Sequence, residues 1–444
     1  MKAITVAGSP DEVPPGTRNR IIFVLTSANE PTPVHIRFDG ENLPILFSND
    51  PHSAELFRMD ENKNLWFSHD LLSSAFYVLS GQQETMTRIR DRYDRFPYAA
   101  SFQKELHCIS LPVVNYYFEI ILRGLEHYAG MQGLKMERKP LFETFGFILG
   151  HDVDRIAYHH IFEVLHKVKQ FLGLSPKHYS RKMLFNLILR GVFFHLNPFR
   201  KNDPWWNFDR IMEAEKQLGI KSAYYFLKNE DRKKDSRYSF NKKRIRDLIS
   251  KLKENDFEVA LHGTFQSYTN QQSLHFQKEE LSAITGEAPA GIRQHFLRFS
   301  IPETFRIQAA EGFLYDASLG FAEHEGYRNG YCHPFRPFDH ERNEMINIWE
   351  IPLIMMEMSV LDYRKTSYEE LKTSAYKLIK QSKKFGGIFS MLWHNCRINE
   401  VETPGITEFY NTLLESIIEE NPSLIRPDQL AGTMEQKSAE NKDL

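Results

Sequence analysis

The stretch FGFILGHDVD, Phe145 to Asp154, constrains this chain more than any other: a continuously apolar run that ends in two carboxylates one residue apart. A strand that is apolar on both faces has to be covered on both, so the run predicts an inner strand of a parallel sheet or barrel. Side chains two apart on a strand point the same way, which puts Asp152 and Asp154 on one side where the strand emerges. Two carboxylates on one side repel unless a cation or a shared proton stands between them. A single Asp in such a place is usually a turn or cap residue. The pair means more only if the rest of the chain supplies matching groups.

It does, and at equivalent places. From Leu141 onward an apolar β-run, a polar tip and an amphipathic helical segment recur. The β-runs are FGFILG at Phe145, SAYYFL at Ser222, EVALHG at Glu258, GIRQHF at Gly291, FLYDAS at Phe313, INIWEIPLIMM at Ile346 and GIFSMLW at Gly387. Helical segments such as FDRIMEAEKQLG from Phe208 and RIRDLISKLKEN from Arg244 lie between them. This alternation predicts parallel βαβ units, in an α/β barrel or a doubly wound sheet. Parallel barrels carry their reactive groups at the C-terminal ends of the strands. Here those ends hold His151, Asp152 and Asp154, then His262, then Arg293 and His295, then Asp316, and finally Trp393, His394 and Asn395. One His at a strand end is ordinarily structural, but five of seven tips bearing Asp, His or Arg form a pattern. Carboxylate and imidazole without thiolate suit zinc or another first-row divalent ion in an open, catalytic site.

The chain before Leu141 reads differently. It has β-like runs at Ile21 (IIFVLTS), Pro33 (PVHIRF), Leu65 (LWFS) and Ala75 (AFYVLSG), then helical periodicity from Leu111 to Ala129, and no cluster of ligands or nucleophile. A chain of 444 residues exceeds one small core. The expected division is an accessory α/β domain over 1–139, a barrel over 140–430 and a polar tail over 431–444. The spacer between Asp154 and Ser222 is long, with extra helical material (HHIFEVLHKVKQFL, MLFNLILRGVFF) and an aromatic loop, NPFRKNDPWWNF. The lysine-rich run from Lys233 to Lys251 reads as one solvated helix face.

Composition excludes several classes. A net charge of −2 gives no overall electrostatic footprint for nucleic acid or anionic membrane. Three cysteines without pattern exclude a disulfide framework and a thiolate zinc site. No apolar run approaches the ~18 residues of a membrane span. Met1 to Pro15 has no apolar signal core, which sets the expectation of a cytoplasmic protein.

Over roughly Leu141 to Gln429 the order of motifs resembles the polysaccharide deacetylases of the NodB-homology fold, carbohydrate esterase family four. The motifs are the paired acids of HDVD, the strand-ending LHGTF, the Arg of GIRQHF, the YDAS strand and the closing MLWHN. More narrowly, the chain resembles a bacterial branch in which such a domain follows a small N-terminal one. The resemblance implies a distorted barrel of seven β/α units. By position it implies Asp152 as catalytic base, Asp154 and His262 as metal ligands, and Arg293 as the partner that keeps Asp152 ionised. It further implies His394 as general acid, Asp316 as the group orienting it, and Leu392 and Trp393 as the lining of an acyl pocket. One position departs from the pattern: Gln266 stands where the family places a second His, four residues after the first. His295, two residues from Arg293, is the candidate third ligand; a role beside the metal or on the substrate is the alternative.

The implied function is a metal-dependent hydrolase, with zinc the expected ion, that removes an N-acetyl group from an amino-sugar-containing glycan or glycoconjugate. Two rivals stay open. One is a catalytically silent carbohydrate-binding protein whose groove includes Trp205 and Trp206. The other is an amidohydrolase acting on a small non-glycan amide such as a ureide or cyclic imide.

Overall fold

A computed structural model describes residues 4–28, 30–176, 179–197, 203–231 and 233–440. The expected β-runs after Leu141 join in one parallel sheet that curls into a distorted barrel. Its strands are Gly146–Val153, Ala223–Leu227, Glu258–Gly263, Gly291–Gln294, Tyr315–Asp316, Trp349–Glu350, Met355–Met356 and Ile388–Leu392, with a short ninth, Ser423–Leu424, paired to the start of the first. The first strand sits between the second and Ile388–Leu392, with Asp152 opposite Tyr225 and Gly150 opposite Leu392. The third lies between the second and the fourth, with His262 opposite both Leu227 and Arg293. Asp152, His262 and Arg293 therefore rise from neighbouring strands at the same end.

The run INIWEIPLIMM yields two short strands where one is expected. Trp349–Glu350 pairs with Tyr315–Asp316 at one edge of the sheet, and Met355–Met356 pairs with Ile388–Leu392 at the other. Pro352 has no N–H to give a ladder, so pairing lapses between the two pieces. Ser390 closes the gap: its hydroxyl accepts from the Ile354 N–H at 3.0 Å and donates to the Pro352 carbonyl. One segment thus joins both edges of the sheet.

Helices cover the outside. In Lys243–Glu254 the residues Ile245, Leu248, Ile249 and Leu252 repeat at helical spacing and are buried, while lysines face water. Each such side chain contributes roughly 1.5–3 kcal/mol on burial. The spacer after the first strand forms two helices, Ile161–Phe171 and Arg181–Leu196. Residues 198–202 of the expected aromatic loop lie outside the described residues.

Near the N-terminus, strands Ile4–Ala7, Ile21–Val24, Leu65–Phe67 and Phe57–Met59 form a sheet with a hairpin of Val34–Phe38 and Glu41–Ile45 nearby. The long helix Val113–Met131 falls where helical periodicity predicts. AFYVLSG, expected as a strand, lies instead in the helix Leu71–Leu79. The Asp70 carboxylate caps it by accepting from the Ser73 N–H at 2.9 Å, and Leu71, Ser74, Ala75 and Val78 make one buried stripe. Helical spacing outweighs the β-like composition there. Residues 131–140 are exposed throughout, yet the segments on either side are tied together. Arg328 pairs with Glu84 at 2.7 Å in a buried setting, and Arg95 donates to the Phe296 carbonyl at 2.9 Å. The helix Pro427–Glu440 occupies most of the expected polar tail, with its own Leu430 and Ala431 buried on the inner side. No helix among the described residues is long and apolar enough to cross a membrane.

Candidate metal centre

Alternation along the first strand decides what enters the barrel. Asp152 points inward, while His151 on the other face bonds Glu215 at 2.6 Å and the Trp393 carbonyl at 2.7 Å. Arg293 comes across the barrel to donate to Asp152 Oδ1 at 2.8 Å and to the Ala317 carbonyl at 2.9 Å. Gly150 makes room for it, since a Cβ there would lie 3.0 Å from Arg293 Nη1. Burial alone would raise the Asp152 carboxyl, but the charges of His262 and Arg293 outweigh it and hold the group below its ordinary range. Asp152 is ionised.

Three imidazoles converge on Asp154. His262 Nε2 is 3.3 Å from its Oδ1, while His295 Nε2 and His394 Nε2 are 3.6 and 3.7 Å from its Oδ2. Each ring is fixed from behind. His262 Nδ1 lies 2.7 Å from the Arg293 carbonyl, which can only accept, so Nδ1 carries a proton and Nε2 is the atom turned to the two carboxylates. His295 Nδ1 faces Asp235 Oδ1 at 3.2 Å, and His394 Nδ1 faces Glu357 Oε1 at 2.7 Å. Asp154, His262 and His295 each offer a ligand atom, and these atoms lie within 4.8 Å of one another. Asp154 Oδ1 is buried and has no hydrogen-bond partner. One carboxylate, with an oxygen that lacks a hydrogen-bond partner, and two imidazoles with their far nitrogens held by a carbonyl or carboxylate are the donor set a divalent ion takes. The residues present fit one.

The charges follow from this crowding. Burial would raise the Asp154 carboxyl, yet His295 and His262 hold it well below its usual range. Burial would lower His394, but Glu357 and then Asp154 push it up to about 10. His394 is therefore a cation at neutral pH, carrying a proton on the nitrogen that faces the cavity.

That cavity has a volume of about 670 Å³, in the range of small-ligand sites. Leu297, Ala322, Met356, Met358 and Leu392 make an apolar patch on its wall beside His394. Arg95, braced by Asp91 at 2.7 Å, reaches the wall from the N-terminal region, which sequence reading left without a part in the site. Lys233, Lys234, Lys242 and Arg244 also line it, so the lysine-rich run is not only a solvated helix face.

Three expectations need correction. Asp316 does not orient His394: it accepts from Gln308 at 2.7 Å and from Ser318, and Glu357 takes the expected role. Trp393 does not line the acyl pocket, because it follows inward-facing Leu392 and so points outward, packing on Tyr410 at 5.2 Å. Of the two tryptophans proposed for a groove, Trp205 is on the wall, while Trp206 lies under Arg244 at 3.4 Å. Gln266 is exposed and off the cavity wall. Asn395 donates to the Arg155 and Trp205 carbonyls and fastens the exit of the first strand. Sequence reading missed Glu357 and Asp235. Glu357 had a signal, as the acid that ends the run IWEIPLIMM just as Asp152 and Asp154 end theirs.

A model described as a family of unknown function (DUF7033) matches residues 18–129. No curated protein matches the chain. Among solved structures, a putative polysaccharide deacetylase from Mycobacterium smegmatis is 14% identical, with 68% of this chain and 94% of that one covered and a TM-score of 0.45. An allantoinase is 16% identical over 66% of this chain and 93% of its own, with a TM-score of 0.44. A probable polysaccharide deacetylase from Pseudomonas aeruginosa PAO1 is 12% identical over 65% and 90%, with a TM-score of 0.43. At identities this low, what the chain does has to be argued from its own side chains.

Proposed function

We propose that the protein is a metal-dependent hydrolase of an amide bond, removing an N-acetyl group from an amino sugar in a glycan or glycoconjugate. The observation that carries this reading is the pairing of two differently charged proton carriers across one ligand set. Asp152 is kept ionised by Arg293, His394 is kept protonated by the Glu357 carboxylate, and Asp154, His262 and His295 lie between them. A divalent ion held by those three residues, zinc by donor type, would polarise the acyl carbonyl and make water acidic enough to attack at neutral pH.

The chain's own residues do the rest. Asp152 takes a proton from the attacking water as it adds to the carbonyl carbon. His394 gives its Nε2 proton to the sugar nitrogen as the carbon–nitrogen bond breaks, so acetate and a free amine leave. Glu357 holds the imidazolium in place and in its charged form. The apolar patch around Leu392 and Met356 suits a methyl group, and the basic wall formed by Lys233, Lys234 and Lys242 would draw acidic glycans. Retention of both proton carriers in fixed positions favours catalysis over silent sugar binding.

The test is acetate release from N-acetylated oligosaccharides by zinc-loaded protein, beside a panel of ureides and cyclic imides. Asp152→Asn or His394→Ala should each lower the rate by about 10²–10⁴-fold. Glycan binding without release of acetate would sink the hydrolase reading in favour of the silent one. Turnover of the small amides alone would leave a hydrolase with a different substrate.

A further inference from the structure

We propose that the pair of helices Ile161–Phe171 and Arg181–Leu196 seats the protein on an anionic lipid bilayer, with the mouth of the cavity beside the headgroups. The first helix, Ile161–Phe171, is built inside out. Glu163, His166, Lys167 and Gln170, one face at helical spacing, line the cavity, while Ile161, Phe162 and Leu165 face outward and are exposed. A helix on a water-facing surface has the opposite arrangement. The chain beyond it continues the pattern, with Leu172 and Leu174 exposed at 63 and 73%.

The second helix, Arg181–Leu196, adds a parallel row. Leu184, Leu187 and Gly191 are its buried side, and Gly191 lets the helices meet, since a Cβ there would lie 2.6 Å from Val164. Phe185, Leu189, Val192, Phe193 and Leu196 point away and are exposed. Among the described residues, ten of the twenty-one exposed large apolar side chains fall within 161–196. A patch this concentrated marks a contact surface.

Charge selects the occupant. Residues 161–196 carry six lysines and arginines and one carboxylate, Glu163, which is turned to the cavity, although the whole chain is at −2. Lys169 follows Leu165 by four residues and Arg190 precedes Phe193 by three, so cations border the apolar rows and can reach past them to headgroups. Two copies meeting through this face would set like charges together, which disfavours a self-interface. An apolar face rimmed by cations fits anionic lipid.

Flotation of the full chain with vesicles of phosphatidylglycerol and phosphatidylcholine, against phosphatidylcholine alone, tests this. The protein should float with the anionic vesicles and be released by high salt. Phe185→Glu with Phe193→Glu should cut the bound fraction about tenfold, and Lys169→Glu with Arg190→Glu should abolish the preference for anionic lipid, both at unchanged melting temperature and zinc content. Should the Glu pair fail to fold, Phe185→Ser with Phe193→Ser serves in its place. Absence of wild-type flotation overturns the proposal. So does a dimer, seen by light scattering, that the phenylalanine variants break while vesicle binding is nil.

Discussion

Replacing His295 by Ala tests the ligand set gathered around Asp154. His295 Nε2 stands 3.6 Å from Asp154 Oδ2, and its Nδ1 faces Asp235 at 3.2 Å. If it is a ligand, three variants fall in a fixed order. Asp235→Asn leaves the imidazole in place but loosens it, and such losses cost about 10–100-fold in metal affinity, or roughly 1.4–2.7 kcal/mol at 1.36 per decade. His295→Ala removes the donor itself, leaving two protein ligands where a catalytic zinc takes three, so its loss should exceed about 100-fold. Gln266→Ala alters an exposed side chain off the cavity wall and should change affinity by no more than about twofold. Competition for Zn²⁺ against a chromophoric chelator measures all three. A Gln266→Ala loss equal to or larger than that of His295→Ala would refute the ligand set.

Three further outcomes are expected. With Glu357→Gln the alkaline limb of kcat/KM should fall from about 10 by roughly 1–3 units, the usual effect of one close charge. Because the folded value of His394 lies above the ordinary 6.5, its stabilising contribution is complete below 6.5 and is lost as pH rises through about 10, which pH-dependent melting should follow. Arg293→Met strands a buried carboxylate and should cost about 3–5 kcal/mol in denaturant unfolding, with the acid limb of the rate profile moving up as Asp152 loses the cation that keeps it ionised. Limited proteolysis should cut near Glu137–Pro140, in the exposed stretch 131–140, supporting separate folding units over 1–139 and 140–430. The nicked pieces should still elute together, since the Glu84–Arg328 pair is buried between them; separation on native gel filtration would contradict that.

Residues whose place follows from strand alternation were legible in the sequence. The apolar run to Gly150 and the offset of Asp152 from Asp154 announce the first strand and the side it faces. His262, Arg293 and His295 follow by the same rule, and the structure brings them to one end of the sheet. Failures came where local pattern is silent about distance across the barrel. Asp316 sits at a strand tip like the others, yet Gln308 and Ser318 engage it before it can reach His394. Asp235 lies in a lysine-rich loop with no periodicity, so nothing local marks it as the residue behind His295. AFYVLSG misled because aromatic and branched residues resemble a strand unless the spacing back to Leu71 is counted. The basic rim escaped notice because total charge averages over the whole surface.

The order of strands in the barrel has a consequence during synthesis. Gly146–Val153 is made early, but one of its flanks is Ile388–Leu392, made near the end. Until that late strand arrives, a nascent chain displays an apolar strand with a row of unpaired N–H and C=O groups, a ready template for pairing with another chain. A product terminated before Gly387 would keep that flank open permanently. Premature stops late in this chain should therefore give insoluble protein, although every residue of the Asp154, His262 and His295 cluster would already be present.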